Sequence, residues 1–164
     1  MLKSRSIFGL ISIIALTLTN SSLAATTTTT FTVTATVVAT CSVSATNLSF
    51  GNYDPVSVSD LDATNTVTVT CTDGTSYDIG LDAGIGSGAT VATRKLTNAG
   101  NTLDYTLYQD APRTTVWGET VSTDTLSATA SALPANHTVY GRIDSGQNVP
   151  TGLYSDTITV TVTY

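Results

Sequence analysis

The sequence predicts an all-β protein, a β-sandwich of the immunoglobulin-like kind, and three observations carry that prediction. Thr makes up about a fifth of the 164 residues, and a β-branched side chain suits a pleated, half-buried strand better than a helix. Apolar residues alternate with Thr in several runs, a period-2 signature, and no stretch shows convincing helical spacing. Short strands of this kind recur at fairly regular spacing with turn signals between them. One domain is the expectation for this length.

Taken in order, the chain begins with what reads as an export signal. Lys3 and Arg5 precede an apolar run from Ile7 to Leu18, and Ser22-Leu23-Ala24 places small residues where a signal peptidase reads. The expected division is a signal peptide over residues 1–24, an N-terminal extension over 25–40 and the domain over 41–164. The apolar run is short of the roughly 20 residues of a membrane span, and no second one follows, so no stable membrane insertion is expected.

After a polar Thr26–Thr30 tract, Phe31, Val33, Ala35, Val37 and Ala39 hold odd-numbered apolar parity that continues to Val43. Further on, Val67, Val69 and Cys71 alternate with Thr, and so do Ile158, Val160, Val162 and Tyr164 at the end of the chain. Weaker strand signals lie at Tyr77–Leu81, Leu103–Tyr108, Val116–Trp117 and Val139–Ile143. Asp73-Gly74, the Gly84–Gly88 cluster, Asn98–Asn101, Ala111-Pro112, Pro134 and Pro150-Thr151-Gly152 break the runs. Cys41 and Cys71 are the only cysteines. An exported chain makes them a disulfide, since neither a CxxC spacing nor a nearby His offers metal or thiol chemistry.

The termini carry the functional signal. No Asp, Glu, Lys or Arg occurs from Ser6 through Tyr53, and Asp156 is the only charge from Ser145 to Tyr164. Exposed strand edges are ordinarily guarded by charge, proline or bulges, because unpaired backbone recruits other chains. For the C-terminal run, a place in the interior of its own sandwich explains the lack of charge. The run from Phe31 to Val43 is too long for that. As one strand it would reach about 43 Å, against about 17–20 Å for an ordinary strand. About half of it should overhang, extended or loosely placed. Docked in a neighbour's groove, Phe31, Val33 and Val37 alone would bring about 5–9 kcal/mol of apolar burial. That is strand addition; repeated head to tail it does not close, and a fibre results.

Several pieces match a known family: Thr40-Cys41-Ser42-Val43, Phe50-Gly51, Val67-Thr68-Val69-Thr70-Cys71, Leu81-Asp82-Ala83-Gly84, Arg94-Lys95-Leu96 and Leu103-Asp104-Tyr105-Thr106-Leu107-Tyr108. Trp117-Gly118, Tyr140-Gly141-Arg142-Ile143 and Gly152-Leu153-Tyr154-Ser155-Asp156 through Tyr164 complete the set. In this order, across essentially the whole exported chain, they resemble the spore coat protein U domain family, which includes pilin subunits of archaic chaperone–usher pili. The resemblance implies an incomplete immunoglobulin-like sandwich lacking its last strand, which a periplasmic chaperone supplies before the next subunit's N-terminal donor strand replaces it at an outer-membrane usher. It implies a donor strand of Phe31, Val33, Ala35, Val37 and Ala39, and a Cys41–Cys71 disulfide. It also implies a C-terminal strand Thr157–Tyr164 that borders the acceptor groove through Ile158, Val160 and Val162, with Tyr164 and its carboxylate as the chaperone anchor. The family's tip adhesins usually carry an extra N-terminal domain, for which this chain has no room, so a shaft or coat subunit is favoured.

Other chemistries are set aside on composition and motif. Without Lys3 and Arg5, four basic residues face twelve acidic ones, four minus twelve or −8, which removes a footprint for nucleic acid. Gly84–Gly88 lacks the Lys-Ser/Thr and the helix of a phosphate loop and reads as a flexible hairpin loop. Asp54, Asp60 and Asp62 do not follow a calcium-loop spacing and read as a solvated acidic loop. His137 reads as a surface-loop residue beside Pro134, with no nucleophile elbow around any Ser. Trp117 with Tyr108 reads as sandwich core before it reads as a sugar platform. No cofactor or metal is expected, and no enzyme. The expectation is an exported structural subunit, periplasmic in transit and then on the cell surface, that polymerises with identical or homologous pilins and serves adhesion and biofilm formation. The alternatives are a monomeric carbohydrate-binding module and a spore or cell coat subunit without a discrete fibre.

Overall fold

A computed structural model describes residues 23–164; the predicted signal peptide lies almost wholly outside the described residues. Residues 23–40 carry no helix or strand, and Phe31 and Val33 are 87% and 81% exposed. The strands begin at β1 (Cys41–Ala45) and continue with β2 (Leu61–Cys71), β3 (Ser76–Leu81), β4 (Arg94–Asn98) and β5 (Asn101–Tyr108). β6 (Leu126–Thr129), β7 (Ala135–Ile143) and β8 (Val160–Thr163) complete the set. A five-stranded sheet has the order β1-β2-β7-β5-β4 and a three-stranded sheet the order β6-β3-β8, every pair antiparallel.

The alternation seen in the sequence is what joins the two sheets. On a strand every second side chain shares a face, and the inward set is Val67, Val69, Leu103, Tyr105, Leu107, Val139 and Ile143 from the larger sheet. Tyr77, Ile79 and Leu81 of the smaller sheet meet them in one cluster, while the intervening residues, largely Thr, Ser and Asp, lie nearer solvent. The sandwich is therefore all-β, as expected.

Four sequence expectations change. The Val116–Trp117 run is not a strand: Val116 makes a single bridge to Tyr108, and Trp117 is fully buried with its indole N–H donating to the Ile79 carbonyl at 2.8 Å. The sugar platform is thereby removed, because the indole that would form it is inside the core. His137 is not a loop residue but a member of β7, set opposite Val67. Asp62 belongs to β2, and Asp60 and Asp62 are paired rather than merely solvated. Arg142 lies 2.8 Å from Asp62 and 3.4 Å from Asp60, and Arg113 lies 3.2 Å from Asp62. The C-terminal strand expected over Thr157–Tyr164 is confined to Val160–Thr163, whereas the N-terminal run pairs regularly only from Cys41, in keeping with the expected overhang.

Cys41 and Cys71 form a disulfide, directly opposite each other at the first rung of the β1–β2 ladder. The bond therefore staples an edge strand to its neighbour within one sheet instead of tying the two sheets together. Backbone of Thr40 and Val38 continues toward the same place: the Thr72 N–H donates to the Thr40 carbonyl at 2.9 Å, and the Thr72 hydroxyl to the Val38 carbonyl at 3.3 Å.

Candidate functional site

Two edge strands, β1 and β8, lead into the walls of one groove. β1 pairs only with β2, and β8 pairs only with β3. No strand among the described residues pairs with the outer edge of either. Between them lies a groove of about 600 Å³ whose floor is built from Val67, Leu107 and Val139 of one sheet and Leu81 of the other. Its walls are the chain from Ala45 to Phe50 and the chain from Asp156 to Val160. The floor residues are themselves buried, and the partly exposed apolar groups are on the walls, at Leu48, Phe50, Ile158 and Val160. Val43 of β1, paired with the fully buried Val69, is 40% exposed.

The wall beyond β1 is held by a glycine. Leu48 and Phe50 lie over Gly141 of β7, where an added Cβ would come within 2.8 Å of the Phe50 ring and 3.0 Å of Leu48. The Phe50 ring then meets Tyr105 edge to face, centroids 6.0 Å apart, an arrangement that aromatic quadrupoles favour.

The opposite wall is held by carboxylates. Asp156, the one charged residue lining the groove, accepts from the Tyr105 hydroxyl at 2.8 Å, from the Ile85 N–H at 2.9 Å and from its neighbour Thr157 N–H at 2.8 Å. Asp82 accepts from the Thr159 N–H at 2.9 Å and the Gly84 N–H at 3.0 Å. The glycine-rich segment is therefore a bonded loop, not a loose hairpin. Burial first, and the Asp156 bond second, push the Tyr105 phenol far above its ordinary range.

Arg94 stands behind this wall, fully buried. Its guanidinium donates to the carbonyls of Asp82 (2.8 Å), Val91 (2.8 Å), Leu81 (2.9 Å) and Trp117 (2.7 Å). Burial lowers its pKa, while Tyr105, Asp82, Asp156 and Asp124 act in the opposite direction.

The predicted residues fall in different places. Ile158 and Val160 line the groove, and Val162 packs against the core opposite Ile79. Tyr164 is 59% exposed and borders a second, polar concavity on the smaller sheet with Ser76, Asp78 and Ser127. Val37 is 83% exposed and Ala35 and Ala39 are exposed as well. Sequence reasoning missed Leu48, Phe50, Tyr105 and Asp156 as groove residues. Only Asp156 left a signal, as the lone charge in the C-terminal stretch.

Residues 27–161 match the family model described as the Spore Coat Protein U domain. The chain belongs to that family. Protein U of Myxococcus xanthus is 41% identical over 128 residues, which is 71% of each chain. The fold also matches a crystal structure titled as the CsuC-CsuE chaperone-tip adhesion subunit pre-assembly complex from archaic chaperone-usher Csu pili of Acinetobacter baumannii. That match has a TM-score of 0.60 at 22% identity and covers 79% of this chain but 40% of the solved one. At that identity the likeness establishes the architecture: the Spore Coat Protein U domain here is an immunoglobulin-like sandwich.

Proposed function

We propose that this protein is an exported structural subunit of a surface polymer, assembled when the N-terminal strand of one copy enters the groove of the next. The observation that carries the proposal is the groove itself, a cleft with an apolar floor between the chain that follows the edge strand β1 and the chain that leads into the edge strand β8. An inserted strand would run between the two walls and cover Leu48, Phe50, Ile158 and Val160, which are only partly buried. The donor is the segment with Phe31, Val33, Ala35, Val37 and Ala39 on one face. Its two-residue spacing matches a strand, and its exposed apolar side chains have no use on an isolated secreted domain.

Before assembly the same groove needs a temporary occupant, the role of a periplasmic chaperone, with Ile158, Val160 and Val162 beside the borrowed strand and the Tyr164 carboxylate as an anchor. An outer-membrane usher then exchanges chaperone for subunit. The product is a pilus on the cell surface that serves adhesion and biofilm formation; the protein is not an enzyme. The family name favours a second product of the same contact, a coat layer without discrete fibres, and electron microscopy of the producing cell separates the two.

The test is the mobility in SDS of protein sheared from the surface, unheated and boiled, for the wild type and a Phe31→Asp/Val33→Asp double variant. A ladder that collapses on boiling and is missing in the variant is expected. A single monomer band in every lane, from protein exported with its natural partners, sinks the proposal.

A further inference from the structure

We propose that Asp156 is the positioning residue of the groove: its carboxylate ties the rim, the floor and the loop after β3 into one body, so the aperture is set before a strand arrives. This rests on the strand-accepting reading of the groove and names the group that keeps it ready.

The rim needs such a tie. Backbone bonding holds its two ends: the Asp82 N–H donates to the Thr159 carbonyl at 3.2 Å beside the Val160–Leu81 pair, and Ser155 is bridged to Thr97 of β4. Neither reaches Asp156, Thr157 or Ile158 between them. The four residues 156–159 form half of the groove wall outside any strand. An entering strand must hydrogen-bond along their outer side. If they moved freely, ordering them would be charged against every insertion.

Asp156 reaches three places at once. Tyr105 stands on β5 in the floor, Ile85 in the loop between β3 and β4, and Thr157 on the rim, each within 2.9 Å as donor. A carboxylate has only acceptors, with capacity for several donors on two oxygens, and all three groups are donors. The loop has been shaped to this carboxylate. Gly84 sits at φ +79°, and a Cβ built there would overlap the Asp156 carboxylate, 2.7 Å from its carbon. Asp82 adds a second tie, to Thr159 and Gly84, so removal of Asp156 loosens the near end of the rim while the sandwich remains bonded.

Asparagine would keep most of this. Its oxygen would take the two backbone amides and its amide would face Tyr105, whose hydroxyl can turn to accept. Alanine keeps none, and phenylalanine at 105 loses only the floor contact.

The experiment uses the full chain with its natural export partners, in wild type, Asp156→Ala, Asp156→Asn and Tyr105→Phe. Two quantities are read: SDS-resistant multimer yield per folded, disulfide-bonded subunit, and amide exchange at Ile85 and Thr157 against Val69 and Ile79. Asp156→Ala is expected to lower the yield about tenfold and to speed exchange at Ile85 and Thr157 alone. Asp156→Asn should restore the yield to within about threefold, with Tyr105→Phe between them. Folded Asp156→Ala with wild-type yield and protection overturns the inference. If that variant does not fold, Tyr105→Phe decides, and wild-type behaviour from it is the overturning result. A wild type without any multimers defeats the strand-accepting reading, and this inference falls with it; a wild-type ladder shared unchanged by folded variants defeats the inference alone.

Discussion

Arg94 sits in the core with full burial and four backbone carbonyls around its guanidinium. A buried cation is tolerated only where its hydrogen bonds are complete, and removing it leaves those carbonyls without partners. Arg94→Met should therefore cost about 3–5 kcal/mol in urea unfolding; a loss below about 1 kcal/mol would show the carbonyls finding water instead. His137 makes the other residue-scale case. Its Nε2 lies 3.0 Å from the hydroxyl of Tyr77, which belongs to the opposite sheet, and burial lowers the imidazole pKa from 6.5. The unfolded chain then binds the proton more tightly than the folded one. Stability is complete above pH 6.5 and falls as pH drops through that value toward the folded pKa. Solvent shares the site, so the loss is under about 1 kcal/mol. Denaturation midpoints at several pH values check it, and His137→Phe should flatten the slope.

Among the elements, β1 depends most on a single bond. It is five residues long, lies at a sheet edge and exposes four of its residues. The disulfide closes a 30-residue separation, which in chain-entropy terms stabilises the fold by about 3–4 kcal/mol. A Cys41→Ser/Cys71→Ser variant should lose about that much in urea unfolding, with β1 the first element to exchange its amides. The elements also differ in how plainly the sequence announces them. β2, β3, β5 and β7 stand at or near the middle of a sheet, and the burial demanded there leaves Val, Leu, Ile and Tyr at alternate positions. β4 was not foreseen because Leu96 is its only apolar residue and Arg94 occupies an inward position. β6 is four residues of Leu, Ser, Ala and Thr. These two edge strands carry few apolar residues, so they print little pattern, unlike the edge strand β8, whose alternation is plain. Trp117 misled in the opposite sense: an aromatic beside a valine looks like a strand, but this one fills the space between sheets.

On the scale of the whole molecule, half of the candidate site could be read in advance. Excess strand length and absence of charge suggested a donor segment. The groove edge at Ile158 and Val160, now seen in the lining, came only from the family resemblance, since the charge pattern alone had suggested an interior place for the C-terminal run. The groove's walls could not be read, because Leu48 and Phe50 are placed by a glycine about ninety residues away and Asp156 by contacts with β5 and a loop. Such long-range coincidences have no periodicity. The position of the disulfide has a mechanical meaning too. In the proposed surface polymer, tension on the N-terminal arm would enter the domain at Cys41. An edge strand pulled from its end peels away rung by rung, and Cys41 opposite Cys71 is the first rung. With that rung covalent, the load passes to β2, an inner strand joined to β7 over nine paired residues from Leu61 to Val69. Those bonds must be sheared together rather than broken in turn. The oxidised subunit resists extension with its sheet, and the reduced one would yield at its edge.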